Sequence, residues 1–119
     1  MGLNWTTIQS VDELHQLLSH SENNAGDFFL VYKHSTRCSI SSMALRRLEN
    51  DWNEELSLKV KPYFVDVIAK RNVSNQLAEE LNIQHESPQA ILVKNGRAVE
   101  SVSHMTISGK WLKESLSLD

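Results

Sequence analysis

The chain has 119 residues, 40% of them hydrophobic and 23% charged, and a formal net charge of −3. That is one domain's worth of sequence with apolar residues enough for its own core, so a single domain over 1–119 is expected, as a monomer. The acidic balance argues against nucleic acid as a partner, and no apolar run approaches the roughly 20 residues of a membrane span. The start, MGLNWTTIQS, lacks the basic-then-apolar pattern of a secretory signal, and a lone cysteine suits a reducing compartment, so a cytoplasmic location is expected.

In chain order, WTTI at 5–8 predicts a short strand. Ser10 and Glu13 stand at capping-box spacing, and Val11, Leu14, Leu17 and Leu18 carry the helical period after them. SENNAGD, from Ser21, is a polar turn. Phe28 to Tyr32 is a continuous apolar run, the pattern of a strand buried on both faces. Ile40, Ala44, Leu48, Trp52 and Leu56 recur every four residues, with Leu45 widening the stripe, and predict one long helix. Val60 to Val67 predicts a strand whose start, at Pro62, is irregular or at an edge. Val73, Leu77, Ala78 and Leu81 predict a third helix. Ala90–Val93 and Ala98–Val102 predict strands joined at Asn95-Gly96, where both residues accept positive φ in a type I′ turn. Ser108 opens a last helix with Trp111, Leu112 and Leu116 on its apolar side. The order is βαβαβαββα, an α/β fold with a mixed sheet of about five strands and helices on both faces.

The one cysteine, Cys38, sits in KHSTRCSIS, where the first long strand ends and the long helix begins. Ligands of open α/β sheets bind beyond the carboxyl ends of strands. A helix start offers unpaired N–H groups and partial positive charge, which favour a thiolate over a thiol. The backbone N–H groups of Ile40 and Ser41, and the Ser41 hydroxyl, are the expected donors to the sulfur. Arg37 and Lys33 would add positive charge, as would His34 if protonated. Free cysteine is more often a small inert core residue; the position and the polar neighbours turn the reading toward a reactive thiol.

His34 itself reads as a solvated loop residue, while His104, at a strand end, is equally placed to approach Cys38 or not. The histidines (His15, His20, His34, His85 and His104) are scattered, with no H-E-x-x-H and no second cysteine, so no metal site is expected. Asp51, Glu54 and Glu55 read as a solvated helix face, Asp66 as a turn or capping residue, and Trp5, Trp52 and Trp111 as core.

The C-x-x-S at a helix start, with a later Ser-Pro before a strand and hairpin, resembles the thioredoxin fold. The strings KHST-R-C-S-I-S, VDVI, VSNQLAEELNIQHESPQAILVKNG and SHMTIS resemble, more specifically, the monothiol bacilliredoxins of the bacillithiol system, over nearly the whole chain. The resemblance implies a thioredoxin-like fold with four helices around the sheet, and a cytoplasmic thiol–disulfide exchange role on S-thiolated client proteins. It implies that Cys38 is the nucleophile, that Ser41 takes the second-cysteine position, and that Ser87-Pro88 is a cis-proline loop presenting backbone to an extended substrate. Bacillithiol or an analogue would be the cosubstrate, with no bound cofactor. Tyr32 stands where dithiol thioredoxins often carry a buried carboxylate that serves the second cysteine. The chain departs from the family pattern at Ser39, where proline usually follows the cysteine, and at Met105, where tryptophan usually follows Ser-His. Ser39 restores a donor near the sulfur.

Two readings from other classes stand beside this one. One is an iron–sulfur carrier of the monothiol glutaredoxin type, although those proteins typically carry C-G-F-S where this chain has C-S-I-S. The other is a non-catalytic thioredoxin-fold binding module with an inert Cys38.

Overall fold

A computed structural model describes residues 3–117. Five strands form one sheet: β1 (Thr6–Thr7), β2 (Phe28–His34), β3 (Val60–Asp66), β4 (Gln89–Lys94) and β5 (Arg97–Ser103), in the spatial order β1-β3-β2-β4-β5. β1 and β2 run parallel to β3, while β4 and β5 are antiparallel additions. Helices α1 (Val11–Asn23) and α4 (Arg71–Leu81) cover one face. Helices α2 (Ser39–Asp51), α3 (Glu54–Lys59) and α5 (Gly109–Ser115) cover the other. A short 3-10 turn, His104–Thr106, joins β5 to α5.

β2 lies at the centre of the sheet and supplies both cores. Leu30 and Tyr32 pack with Ala44, Leu48, Leu56 and Leu112 on one face; Phe29 and Val31 pack with Leu14, Leu17, Val73 and Leu77 on the other. Each fully buried leucine of this kind contributes about 1.5–3 kcal/mol. The two-sided burial explains why FFLVY shows no alternation.

The predicted long helix is two. α2 ends at Trp52, whose backbone is extended, and Asn53 starts α3 by accepting a hydrogen bond from the Leu56 N–H. Trp52 and Leu56 stay on the apolar face across the break, so the four-residue spacing survives a chain that does not. Pro62 sits inside a regular strand, paired with Leu30 on the β2 side. The Phe64 carbonyl accepts from Ile8 on the β1 side, so by alternation position 62 also points that way, where β1 has yet to begin. The missing N–H therefore breaks no ladder bond. At the hairpin, Asn95 and Gly96 have φ of 54° and 71°, and the Gly96 N–H donates to Ser21 Oγ on α1. The Ser10 cap holds through Glu13 N–H, while the reciprocal Glu13 carboxylate accepts from Gln9 rather than from Ser10.

Candidate thiol site

Cys38 is the N-cap residue of α2: its carbonyl accepts from Ser41 and Ser42, and its side chain caps nothing. It is partly exposed, and it is a free thiol. The loop that delivers it leaves the end of β2. Strand β4 is antiparallel to β2 with Lys33 opposite Gln89, so the next step of the register brings Pro88 beside His34. The Ser87–Pro88 peptide is cis. The Pro88 carbonyl accepts from the His104 N–H, which ties in the 3-10 turn. Arg47, on α2, donates from Nε to the Ile107 carbonyl (2.9 Å) and from Nη2 to the His104 carbonyl (3.4 Å). Three segments thus meet at one end of the sheet: 35–38, 86–88 and 103–107.

The side chains behind Cys38 are buried and mutually engaged. Tyr32 Oη donates to the Ser41 carbonyl at 2.7 Å, and burial pushes its phenol up to about 12. Ser41 is fully buried. Its Oγ accepts from the Ser35 N–H at 3.0 Å and lies 3.1 Å from His34 Nδ1. The hydroxyl expected to serve the sulfur is instead the tie between the cysteine loop and the first turn of α2.

His34 corrects a second expectation. It is the last residue of β2, 7% exposed, with its ring against Phe64 and Tyr32. Burial holds its imidazole below the ordinary range, against the pull of Asp66 and Glu49, so it is a neutral neighbour at pH 7. Asp66 forms a turn, accepting from Ile68 and Ala69.

Lys33 is fully buried and points across the sheet from Tyr32. Its Nζ lies 2.7 Å from His85 Nδ1, beside Ser74 of α4. Its charge therefore faces the α4 side rather than the start of α2. Arg37 and Ser39 are exposed beside Cys38, and Ile40 stands in the first turn of α2, but the Ser41 N–H expected to serve the sulfur donates instead to the Cys38 carbonyl at 3.1 Å. His104 is exposed, with φ of 55° and Nδ1 3.8 Å from Glu86 Oε1. Ser103 Oγ also donates to that carboxylate. Ser87 Oγ is buried without a hydrogen-bond partner among the described residues. Ile40 (41% exposed), Met43 (54%) and Met105 (67%) add apolar surface on α2 and the 3-10 turn.

Sequence reasoning missed His85, Gln89 and Arg47. Gln89 is buried and braces the loop before Pro88, donating to the Gln84 carbonyl and accepting from the Glu86 N–H. The available signal was a lysine and a glutamine directly flanking the apolar runs 28–32 and 90–93, where a strand that extends one residue further buries them and such groups then need partners. Asp51, expected on a solvated face, also accepts from the Gly109 N–H at the start of α5. No group of three or more histidine, cysteine or acidic residues is arranged for a metal among the described residues, and no described helix is long and apolar enough to cross a membrane.

A family model described as monothiol bacilliredoxin BrxC matches residues 6–112. Among solved structures, the chain is similar to a protein described as a candidate oxidoreductase with a thioredoxin fold, at 30% identity and a TM-score of 0.74, over 92% of this chain and 90% of that one. It is also similar to thioredoxin from Malassezia sympodialis (21% identity, TM-score 0.71, 98% and 90% covered). Thioredoxin from Fasciola hepatica shows the same likeness (16% identity, TM-score 0.69, 93% and 95% covered). The last two establish the fold.

Proposed function

The chain belongs to the monothiol bacilliredoxin family, whose membership and thioredoxin fold support a thiol–disulfide oxidoreductase, and on that premise we propose that it strips a low-molecular-weight thiol from protein mixed disulfides. The small thiol is bacillithiol or a close analogue, and the clients are S-thiolated proteins of the cytoplasm. The Cys38 thiolate attacks the sulfur of the small thiol. The client sulfur leaves as a thiolate, and Cys38 keeps the small thiol in a mixed disulfide. A second small thiol, as thiolate, attacks that adduct, forms the small-molecule disulfide and returns Cys38 as a thiolate.

One observation carries this reading. The sole thiol is partly exposed at a helix start, and the residue that would resolve its adduct is a buried serine whose hydroxyl is already engaged. An adduct on Cys38 has no internal route to collapse. The cis Ser87–Pro88 backbone would align an extended client segment beside the sulfur, and Ile40, Met43 and Met105 would give adaptable apolar contact.

The test mixes reduced protein with an S-thiolated client and follows both by intact mass. The protein should gain one small thiol as the client loses it, and Cys38→Ser should abolish both changes. A client that stays thiolated beside unmodified protein would end the reading. Brown colour and sulfide in freshly purified protein would point instead to the iron–sulfur carrier.

A further inference from the structure

Lys33 is the one buried cation of the two central strands β2 and β4, and no ion pair to it exists among the described residues. A buried ammonium without a carboxylate opposes folding. Its single side-chain partner is His85, three residues before Pro88. The same loop is held from β4 by Gln89, through Gln84 and Glu86. The sheet thus grips the segment leading to the cis-proline at adjacent positions of two paired strands, since Lys33 and Gln89 are register partners.

We propose that Lys33 is a positioning residue for the Ser87–Pro88 loop, holding it through His85 in the pose an extended client reads, and that acid releases the hold. The inference rests on the reading of Cys38 as an exchange nucleophile beside that loop.

The bond fixes the protonation pattern. Lys33 donates and His85 Nδ1 accepts, so His85 carries its proton on Nε2. Protonating Nδ1 would set two donors against each other at 2.7 Å. The groups around His85 are Lys33 from β2, Arg71 and Ser74 from α4, and Glu86 in its own loop. Partial desolvation of the ring, Lys33 and Arg71 hold His85 neutral, and Glu86 opposes them. Acid must therefore work against two cations before the loop lets go, and the contact is intact at neutral pH.

Wild type, Lys33→Met and His85→Gln separate this role from a merely structural one. Three readouts are compared: unfolding midpoint, amide hydrogen exchange of residues 84–90, and the rate with a bacillithiolated cysteine peptide set against iodoacetamide alkylation. Lys33→Met should unfold at a higher denaturant midpoint at pH 7, lose protection in 84–90, and react roughly tenfold more slowly with the peptide. Its alkylation rate, which needs no loop pose, should stay at the wild-type value. His85→Gln keeps an acceptor that does not titrate, so it should match wild type at pH 7 and keep its loop protection through an acid titration in which wild type loses it. Wild-type protection in Lys33→Met, an equal slowing of both reactions, or a lower unfolding midpoint would overturn the proposal. If wild type itself fails to react with the peptide, the exchange reading falls, and loop protection alone still decides whether Lys33 holds the loop.

Discussion

Tyr32 and Lys33 are neighbours on β2, and they hold opposite halves of the site. Tyr32 points toward α2 and fastens its first turn with a hydroxyl that stays neutral at any ordinary pH. Lys33 points the other way and fastens the loop before Pro88 with an ammonium against an imidazole. One anchor sits inside an aromatic cluster with Trp5 and Phe64. The other ends at an exposed histidine. The cysteine side is thus built to be fixed, while the proline side hangs on a pair that titrates. A strand's alternation lets two adjacent residues carry these separate duties.

The sharpest way to break the comparison is at Lys33. Burial lowers its ammonium from 10.5 to about 8. The unfolded chain then binds more protons than the folded one between those values, so stability rises with pH across that window. Below pH 8 the folded state carries the full cost, on the order of 3 kcal/mol. Lys33→Met should recover much of it at pH 7 in urea unfolding, and the gain should fade as pH climbs toward 10.5. A lysine that helps the fold would show the reverse.

Next comes Ser41→Ala. It strips the acceptor from the Ser35 N–H and the partner from His34, and should cost about 1–3 kcal/mol by denaturant unfolding. Tyr32→Phe keeps the ring and removes one buried hydrogen bond, for a loss of about 1 kcal/mol by the same measurement. Its cost should not vary between pH 5.5 and 8, in contrast to the wild-type hold on the loop before Pro88, which acid releases. Arg37→Gln is the mildest: the side chain is exposed, so stability should move by less than about 0.5 kcal/mol. Cys38 alkylation should be slower in that variant than in wild type at low salt, and the difference should vanish at high salt, where screening removes the effect of the wild-type charge.

Much of the fold was legible. The strand runs, the capped helix starts at Ser10 and Ser108 and the Asn95-Gly96 turn are local signals, and the structure places elements on each. The break at Trp52–Asn53 was hidden because the apolar spacing continues across it; Asn53, a good N-cap residue, was the overlooked sign. His34 was misplaced because the apolar run stops at Tyr32, whereas pairing with β3 carries the strand on to the partner of Asp66. In the site, Cys38 and its helix start could be read from sequence. The Ser41 hydroxyl could not, because its partners depend on how the 35–38 loop folds back. The Lys33–His85 contact spans 52 positions, and no local pattern encodes it. The cis bond at Pro88 came from the resemblance alone.

The most direct test of the account is the rate of iodoacetamide alkylation of Cys38 as pH is varied, on folded protein and on the urea-unfolded chain. The account predicts that the folded protein labels faster at neutral pH, because the start of α2 stabilises the thiolate. Labelling that is as slow as in the unfolded chain, or slower, would contradict it and leave an inert thiol on a thioredoxin-fold binding module.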